Sequence, residues 1–103
     1  MNQQTCSEEG PITKVADILD GKWTTLIIRD LLSGKKRYHE LQQSLAGISA
    51  KVLSDRLKKL ETSGIITRTV FDTVPPSTEY QLSEQGQGLA PVFVAMAEYG
   101  QSM

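Results

Sequence analysis

The sequence is poor in the residues from which catalytic and metal sites are built. Its 103 residues include one cysteine, one histidine and one tryptophan. A zinc site needs three or four ligands at recognisable spacing, and nucleophilic catalysis would need Cys6 or a serine beside His39. Nothing in the sequence places these groups together. We therefore expect no enzymatic activity, no metal and no cofactor, and the single thiol fits a reducing compartment.

Long apolar runs are also missing. Arg29 interrupts the run that begins at Leu26, and Pro91 divides the apolar C-terminal region, so no stretch approaches the about 20 apolar residues of a membrane span. The first residues, MNQQT, have neither the basic nor the apolar character of a signal peptide. The sequence predicts a cytoplasmic protein that forms a single domain over residues 1–103, with residues 1–10 as a flexible N-terminal segment and no membrane partner.

Neither sign of charge is in excess. Eleven Lys and Arg residues oppose twelve Asp and Glu residues, and the net charge of −1 argues at first against a nucleic-acid partner. The distribution of the charges reverses this argument. Residues 35–68 contain eight basic and three acidic residues, a net charge of +5, and the remainder of the chain carries −6. A basic region in the middle of the chain is therefore available to meet a polyanion.

Apolar spacing predicts a mainly helical fold. A first helix occupies 11–20, a second runs from Trp23 to a stop at Ser33 and Gly34, and a third carries Tyr38 and Leu41. Further elements are a helix over 50–63, strands over 65–71 and 78–82, and a last helix over 84–102 that Pro91 bends or delays. Between the second and third helices, residues 35–37 form a basic turn or a short strand. The order predicts a winged helix-turn-helix: mainly α with a small β-hairpin.

The helix over 50–63 is the predicted DNA-reading element. Ser49 is its N-cap, its core stripe is leucine, and its opposite face is polar and mostly basic. Such a helix fits the major groove while the preceding turn and the wing rest on phosphates. The candidate DNA-binding residues are Lys35, Lys36, Arg37, Ser49, Lys51, Ser54, Asp55, Lys58, Lys59 and Arg68.

Several of these residues have a second interpretation. Asp55 either accepts a hydrogen bond from a cytosine amino group or pairs with Lys51 or Lys58 along the helix, and the intrahelical pair is favoured. The lysines could equally be a solvated surface, and Arg68 lies on the wing, where a surface role competes with a DNA contact. An alternative function therefore stays open, in which the winged helix binds a protein and has no sequence-specific contact with DNA.

The C-terminal helix carries an apolar stripe with little sequence after it to cover the stripe. It is predicted to form a dimer interface together with the first helix, in part while packing on its own core. The residues of this stripe are Leu89, Val92, Phe93, Met96 and Tyr99.

Four short stretches together resemble the HxlR type of winged-helix regulator, a group related to MarR. They are GKWT at 21–24, GKKRYHEL at 34–41, GIS at 47–49 and VPP at 74–76, in order and at matching separations. The resemblance implies a transcriptional regulator, more often a repressor, that binds a palindromic operator as a homodimer held by its terminal helices.

Some members of this group also sense electrophiles or oxidants with a cysteine placed just before the proline that opens the first helix. Gly10 holds that position here, and Cys6 lies several residues upstream. Cys6 is therefore either a redox sensor, with a small electrophile or oxidant as a further partner, or an inert thiol.

Overall fold

The computed structural model describes residues 10–103, which form six helices and three strands. The helices are α1 (Pro11–Ile18), α2 (Lys22–Leu32), α3 (Tyr38–Ser44), α4 (Ala50–Thr62), α5 (Glu84–Gln87) and α6 (Ala90–Gln101). The strands are β1 (Lys36–Arg37), β2 (Ile66–Phe71) and β3 (Ser77–Leu82). The winged helix-turn-helix prediction is confirmed, with boundaries that differ from the predicted ones by a few residues. No helix within residues 10–103 is long and apolar enough to cross a membrane.

Helix α4 begins at Ala50, directly after the serine that the sequence predicts as its N-cap. Gly47 has a positive φ of 93°, which a residue with a side chain adopts only under strain, and this turn ends the connection from α3. Ser49 follows as the N-cap, and its hydroxyl accepts a hydrogen bond from the backbone N–H of Val52 at 3.1 Å. The cap satisfies one of the four free N–H groups of the first turn.

The wing is a three-stranded antiparallel sheet in the order β1, β3, β2. Strands β2 and β3 pair along their whole length, from Ile66 opposite Leu82 to Phe71 opposite Ser77. The basic segment at 35–37 is predicted as a turn or a short strand. Its last two residues form the strand β1, which pairs with β3 and places Lys36 opposite Tyr80. The hairpin is thus tied to the turn before α3, because β1 leads directly into that helix.

The core lies between α2, α3, α4 and the sheet. Buried side chains come from every one of these elements, and the predicted leucine stripe of α4 is confirmed at Leu53, Leu57 and Leu60. A fully buried leucine contributes about 1.5–3 kcal/mol. The rest of the buried apolar set is Ile27, Ile28, Leu31, Leu41, Leu45, Ile48, Ile65, Ile66, Tyr80, Leu82 and Leu89.

The C-terminal region is two helices. Helix α5 ends at Gln87, and α6 starts at Ala90 with Pro91 in its first turn, where the missing N–H of proline costs nothing. The single helix predicted over 84–102 is therefore wrong, because the chain forms two helices that are interrupted at Gly88 and Leu89. Pro91 lies just after this interruption, as its tendency to bend or delay a helix predicts. The hydroxyl of Ser83 caps α5 by accepting from the N–H of Gly86 at 3.1 Å. A side chain at Gly86 would collide with the carbonyl oxygen of Ile65, so glycine allows α5 to lie against the start of the wing.

Candidate nucleic-acid interface

The exposed face of α4 carries two lysines and an aspartate. Lys51, Asp55 and Lys58 are all exposed, on the side of the helix opposite its buried leucines. The Nζ of Lys51 lies 3.3 Å from an Oδ of Asp55, one helical turn further on. This is the intrahelical pair that the sequence favoured for Asp55. An exposed pair of this kind contributes only about 0.3–0.5 kcal/mol, so a hydrogen-bond acceptor of DNA can displace the carboxylate. Lys58 has no ion pair within residues 10–103.

The serines of α4 are engaged within the protein. Ser49 caps the helix, as described above. Ser54 is exposed, and its hydroxyl lies 3.0 Å from the hydroxyl of Tyr38, the first residue of α3. The same Tyr38 hydroxyl donates to the carbonyl oxygen of Ala50 at 3.2 Å. The sequence analysis only placed Tyr38 on the third helix, and its link to α4 was missed because Tyr38 and Ser54 are far apart in the chain.

A groove of about 340 Å³ separates α4 from the wing. Ser54, Lys58 and Glu61 line it from the helix, and Arg68 and Tyr80 line it from the sheet. The Nε of Arg68 lies 3.6 Å from an Oε of Glu61, with both side chains well exposed to water. Burial raises the pKa of the Tyr80 phenol, while the positive charge of Arg68 opposes this rise. The cationic side chains of Lys58 and Arg68 thus lie on opposite sides of this groove, which is open to solvent.

Lys59 lies on the other flank of α4. Its Nζ is 3.7 Å from an Oδ of Asp20, which belongs to the connection between α1 and α2. Arg56, one turn earlier on this flank, has a buried Nε without a hydrogen-bond partner within residues 10–103. The sequence did not reveal the pairing of Lys59, because Asp20 and Lys59 are brought together only by the packing of α2 on α4.

The basic segment before α3 is partly neutralised. Arg37 donates to the hydroxyl of Ser77 at 2.8 Å, stacks over the ring of Phe71 at 4.9 Å and lies 3.9 Å from Glu79. The Nζ of Lys35 also lies 3.9 Å from Glu79. These contacts make Arg37 a clamp between β1 and the two strands of the hairpin. Lys36 has no ion pair within residues 10–103 and is half-buried.

Helix α6 presents an apolar surface to solvent. No residue of α6 is buried, and the exposed fractions are 36% for Val92, 43% for Met96 and 72% for Tyr99. Phe93 packs partly against the core. Leu89 is different: it is only 7% exposed and belongs to the core, so it is not available to a partner chain. Its burial results from the break after α5, which turns Leu89 inward before α6 begins.

An apolar groove of about 620 Å³ runs between α2 and α6. Leu26 and Leu32 line it from α2, and Phe93, Val94 and Met96 line it from α6. The sequence did not select Val94, which is 57% exposed, because α6 is apolar almost all round and its spacing marks no single face. Helix α1 is also open, since none of its residues is buried and Ile12 is 85% exposed.

The family model of HxlR-like helix-turn-helix proteins matches residues 18–103, from the end of α1 to the end of the chain. The chain belongs to the HxlR-like helix-turn-helix family. The resemblance found in the sequence is therefore confirmed.

Known proteins of this kind are similar over nearly the whole chain. An HTH-type transcriptional regulator of Synechocystis is 43% identical over 102 residues, which cover 96% of this chain and 76% of the relative. The structure of a MarR-family transcriptional regulator from Porphyromonas gingivalis has a TM-score of 0.86 at 39% identity and covers 91% of this chain and 92% of that one. The redox regulator HypR in its oxidised form has a TM-score of 0.84 at 35% identity and covers 91% and 97%.

Membership of the HxlR-like family decides the general function. The chain is a DNA-binding transcriptional regulator and not an enzyme, as the sequence predicts. Cys6, the candidate redox sensor, lies outside the described residues. The individual DNA-contacting residues and the dimer interface stay predictions.

Proposed function

We propose that this HxlR-like protein is a homodimeric repressor that binds a palindromic operator, with α4 of each subunit in the major groove. The observation that carries the proposal is the exposed face of α4, where Lys51 and Lys58 lie opposite the buried leucine stripe and the exposed Ser54 lies on its flank. The two copies of α4 would enter successive major grooves about 34 Å apart. A dimer seated in this way blocks the duplex to other proteins, which favours repression.

The contacts of each residue divide the proposed roles. Lys51 and Ser54, in the first half of α4, contact base edges. The ion pair between Lys51 and Asp55 breaks when Lys51 binds DNA. Lys58 and Lys36, which have no ion pair within residues 10–103, contact phosphates, together with the exposed Arg68 and Lys35. Ser49 offers the helix N-terminus to a phosphate while it caps the helix. Arg37 and Lys59 serve mainly to hold the wing and α4 in place, because both are engaged within the protein.

The proposed dimer interface is built from α1 and α6. The open α1 surface and the apolar groove beside α6 would be costly to leave in water, and a second copy of the chain presents surfaces of the same kind. The proposed interface includes Val92, Phe93, Met96 and Tyr99 of the predicted stripe. It also includes the exposed Val94, and it omits Leu89 because that side chain is buried. A regulator of this kind acts where the chromosome lies, which favours the cytoplasmic location predicted from the sequence.

A redox response through Cys6 is part of the proposal. The similarity to HypR, a redox regulator, supports it. An oxidant or electrophile that modifies Cys6, which precedes α1, would act on the first helix of the proposed dimer interface.

One selection experiment tests these points. Sequences bound by the protein are selected from a random DNA pool, with and without diamide, for the wild type and for Cys6→Ser. We expect a palindromic operator whose binding falls about 10³- to 10⁵-fold between 50 and 200 mM salt. Diamide should change the binding of the wild type and leave Cys6→Ser unchanged.

Three outcomes would contradict parts of the proposal. Enrichment of no sequence would favour the protein-binding alternative. An asymmetric site would remove the symmetric dimer, and a wild type that ignores diamide would remove the redox role of Cys6 alone. Transcription from a promoter that carries the selected operator then measures the sign of regulation, and activation would overturn the repressor assignment.

A further inference from the structure

Tyr38 bridges two groups at the start of α4. Its phenolic oxygen lies 3.2 Å from the carbonyl oxygen of Ala50 and 3.0 Å from the hydroxyl oxygen of Ser54. Ser54 is exposed and lines the groove that also contains Lys58 and Arg68. The Tyr38 hydroxyl therefore lies next to a candidate base-reading residue and has two oxygen partners.

The count of protons decides the direction of these hydrogen bonds. A phenol has one proton, and a carbonyl oxygen can only accept. When Tyr38 donates to Ala50, it has no proton left for Ser54, so the second contact forms only if Ser54 donates to the phenolic oxygen. Both contacts are therefore satisfied together in one arrangement, in which the proton of Ser54 points toward Tyr38. The outer side of Ser54 then offers only lone pairs.

We propose that Tyr38 is a positioning residue that makes Ser54 a hydrogen-bond acceptor toward DNA, so that Ser54 selects an exocyclic amino group. This inference rests on the proposed function, in which α4 occupies the major groove. The amino donors there are N6 of adenine and N4 of cytosine, whereas O6 of guanine and O4 of thymine only accept. An unrestrained serine contacts either kind of base, because it can donate as well as accept. Tyr38 thus converts a permissive contact into a selective one.

The test uses the operator selected above and compares the wild type with Ser54→Ala and Tyr38→Phe. The operator position read by Ser54 is the one whose base preference Ser54→Ala removes, and the base found there distinguishes adenine from cytosine. At this position, hypoxanthine replaces adenine, or uracil replaces cytosine, so that a carbonyl oxygen takes the place of the amino group. The partner base is adjusted in each duplex so that the pair is retained.

The three proteins should respond differently to this exchange. We expect the wild type to bind about 3- to 10-fold more weakly after the exchange, the effect of one hydrogen bond. Tyr38→Phe should bind both duplexes with nearly equal affinity, because the freed hydroxyl of Ser54 can donate to the carbonyl oxygen. Ser54→Ala should not discriminate either, and adding Tyr38→Phe to it should have no further effect.

A matched control removes another phenolic hydroxyl from the same region. Tyr80 lines the same groove, and its hydroxyl makes no hydrogen bond among residues 10–103, so Tyr80→Phe should keep the wild-type preference. Thermal melting followed by circular dichroism verifies that each variant is folded, and Tyr38→Phe retains the ring that packs against the core.

The possible failures are distinguishable. A Tyr38→Phe protein that keeps the wild-type preference overturns the inference and leaves the proposed function intact. If Tyr38→Phe loses affinity equally for all sequences, Tyr38 contacts a phosphate, and the inference is again overturned without the proposed function. A wild type that prefers a carbonyl oxygen at the Ser54 position has the same consequence. A wild type that enriches no sequence overturns the proposed function and this inference with it.

Discussion

Helices α4 and α6 are of similar length, and each has a large surface that the rest of residues 10–103 does not cover. Helix α4 buries three leucines and presents charged and hydroxyl side chains to water. Helix α6 buries none of its residues and presents valine, methionine and tyrosine. Water solvates the polar surface of α4 well, so a ligand can bind there reversibly. Exposed apolar area costs about 25 cal/mol per Å², so the second surface favours a lasting cover.

This difference separates two functions on one small domain. In the proposed function, the reversible contact with DNA belongs to α4 and the wing, and the lasting contact with a second copy belongs to α6 and α1. The charge distribution agrees, since residues 35–68 carry +5 and the flanking segments carry −6. If the two surfaces are independent, a substitution on one of them should leave the function of the other unchanged.

The largest effect is expected from Met96→Asp. Met96 is 43% exposed and lines the groove beside α6, so the change places a charge in the proposed dimer interface without disturbing the core. Monomers lose the gain from binding two half-sites together, and operator affinity should fall about 10²- to 10⁴-fold. Light scattering measures the mass, and fluorescence anisotropy measures the affinity.

The matched control is Val70→Asp, which places the same charge at a valine of β2 that is 57% exposed. This variant should keep the mass of the wild type. If Met96→Asp also remains a dimer, the dimer interface lies elsewhere, and the apolar surface of α6 does not bind a second copy of the chain.

The second prediction compares two neighbouring lysines. Lys58 has no ion pair within residues 10–103, whereas Lys59 lies 3.7 Å from Asp20. Lys58→Ala should weaken binding to all DNA sequences by about tenfold at low salt and flatten the dependence of affinity on salt by about one unit. Lys59→Ala should leave this slope nearly unchanged. Equal slopes for the two variants would show that the pair with Asp20 does not hold Lys59 away from DNA.

The third and smallest effect concerns Ser49. Its hydroxyl caps α4, so Ser49→Ala should lower the free energy of unfolding by about 1 kcal/mol, measured by urea denaturation. Ser49→Asp keeps a capping oxygen and should retain this stability, yet its charge should weaken DNA binding. If Ser49→Asp binds DNA as well as the wild type, the N-terminus of α4 does not approach a phosphate.

Features that depend on residues close in the chain were predictable. The cap at Ser49 reaches three residues forward and the pair of Lys51 with Asp55 reaches four, so both follow from helical spacing alone. The leucine stripe of α4 and the delay at Pro91 were predictable for the same reason. The choice of a dimer face on α6 was harder, because a helix that is apolar almost all round has no periodic signal to mark one side.

The chain's local patterns were sufficient to set the order of the elements, the core stripe and the separation of basic from acidic regions, since spacing, capping and composition act over a few residues. Only tertiary packing decided which charges and hydroxyls pair between distant segments. Arg37 met Ser77, Lys59 met Asp20 and Tyr38 met Ser54 only when distant segments came together. These partners depend on the directions in which side chains emerge from packed elements, and sequence spacing does not carry that information.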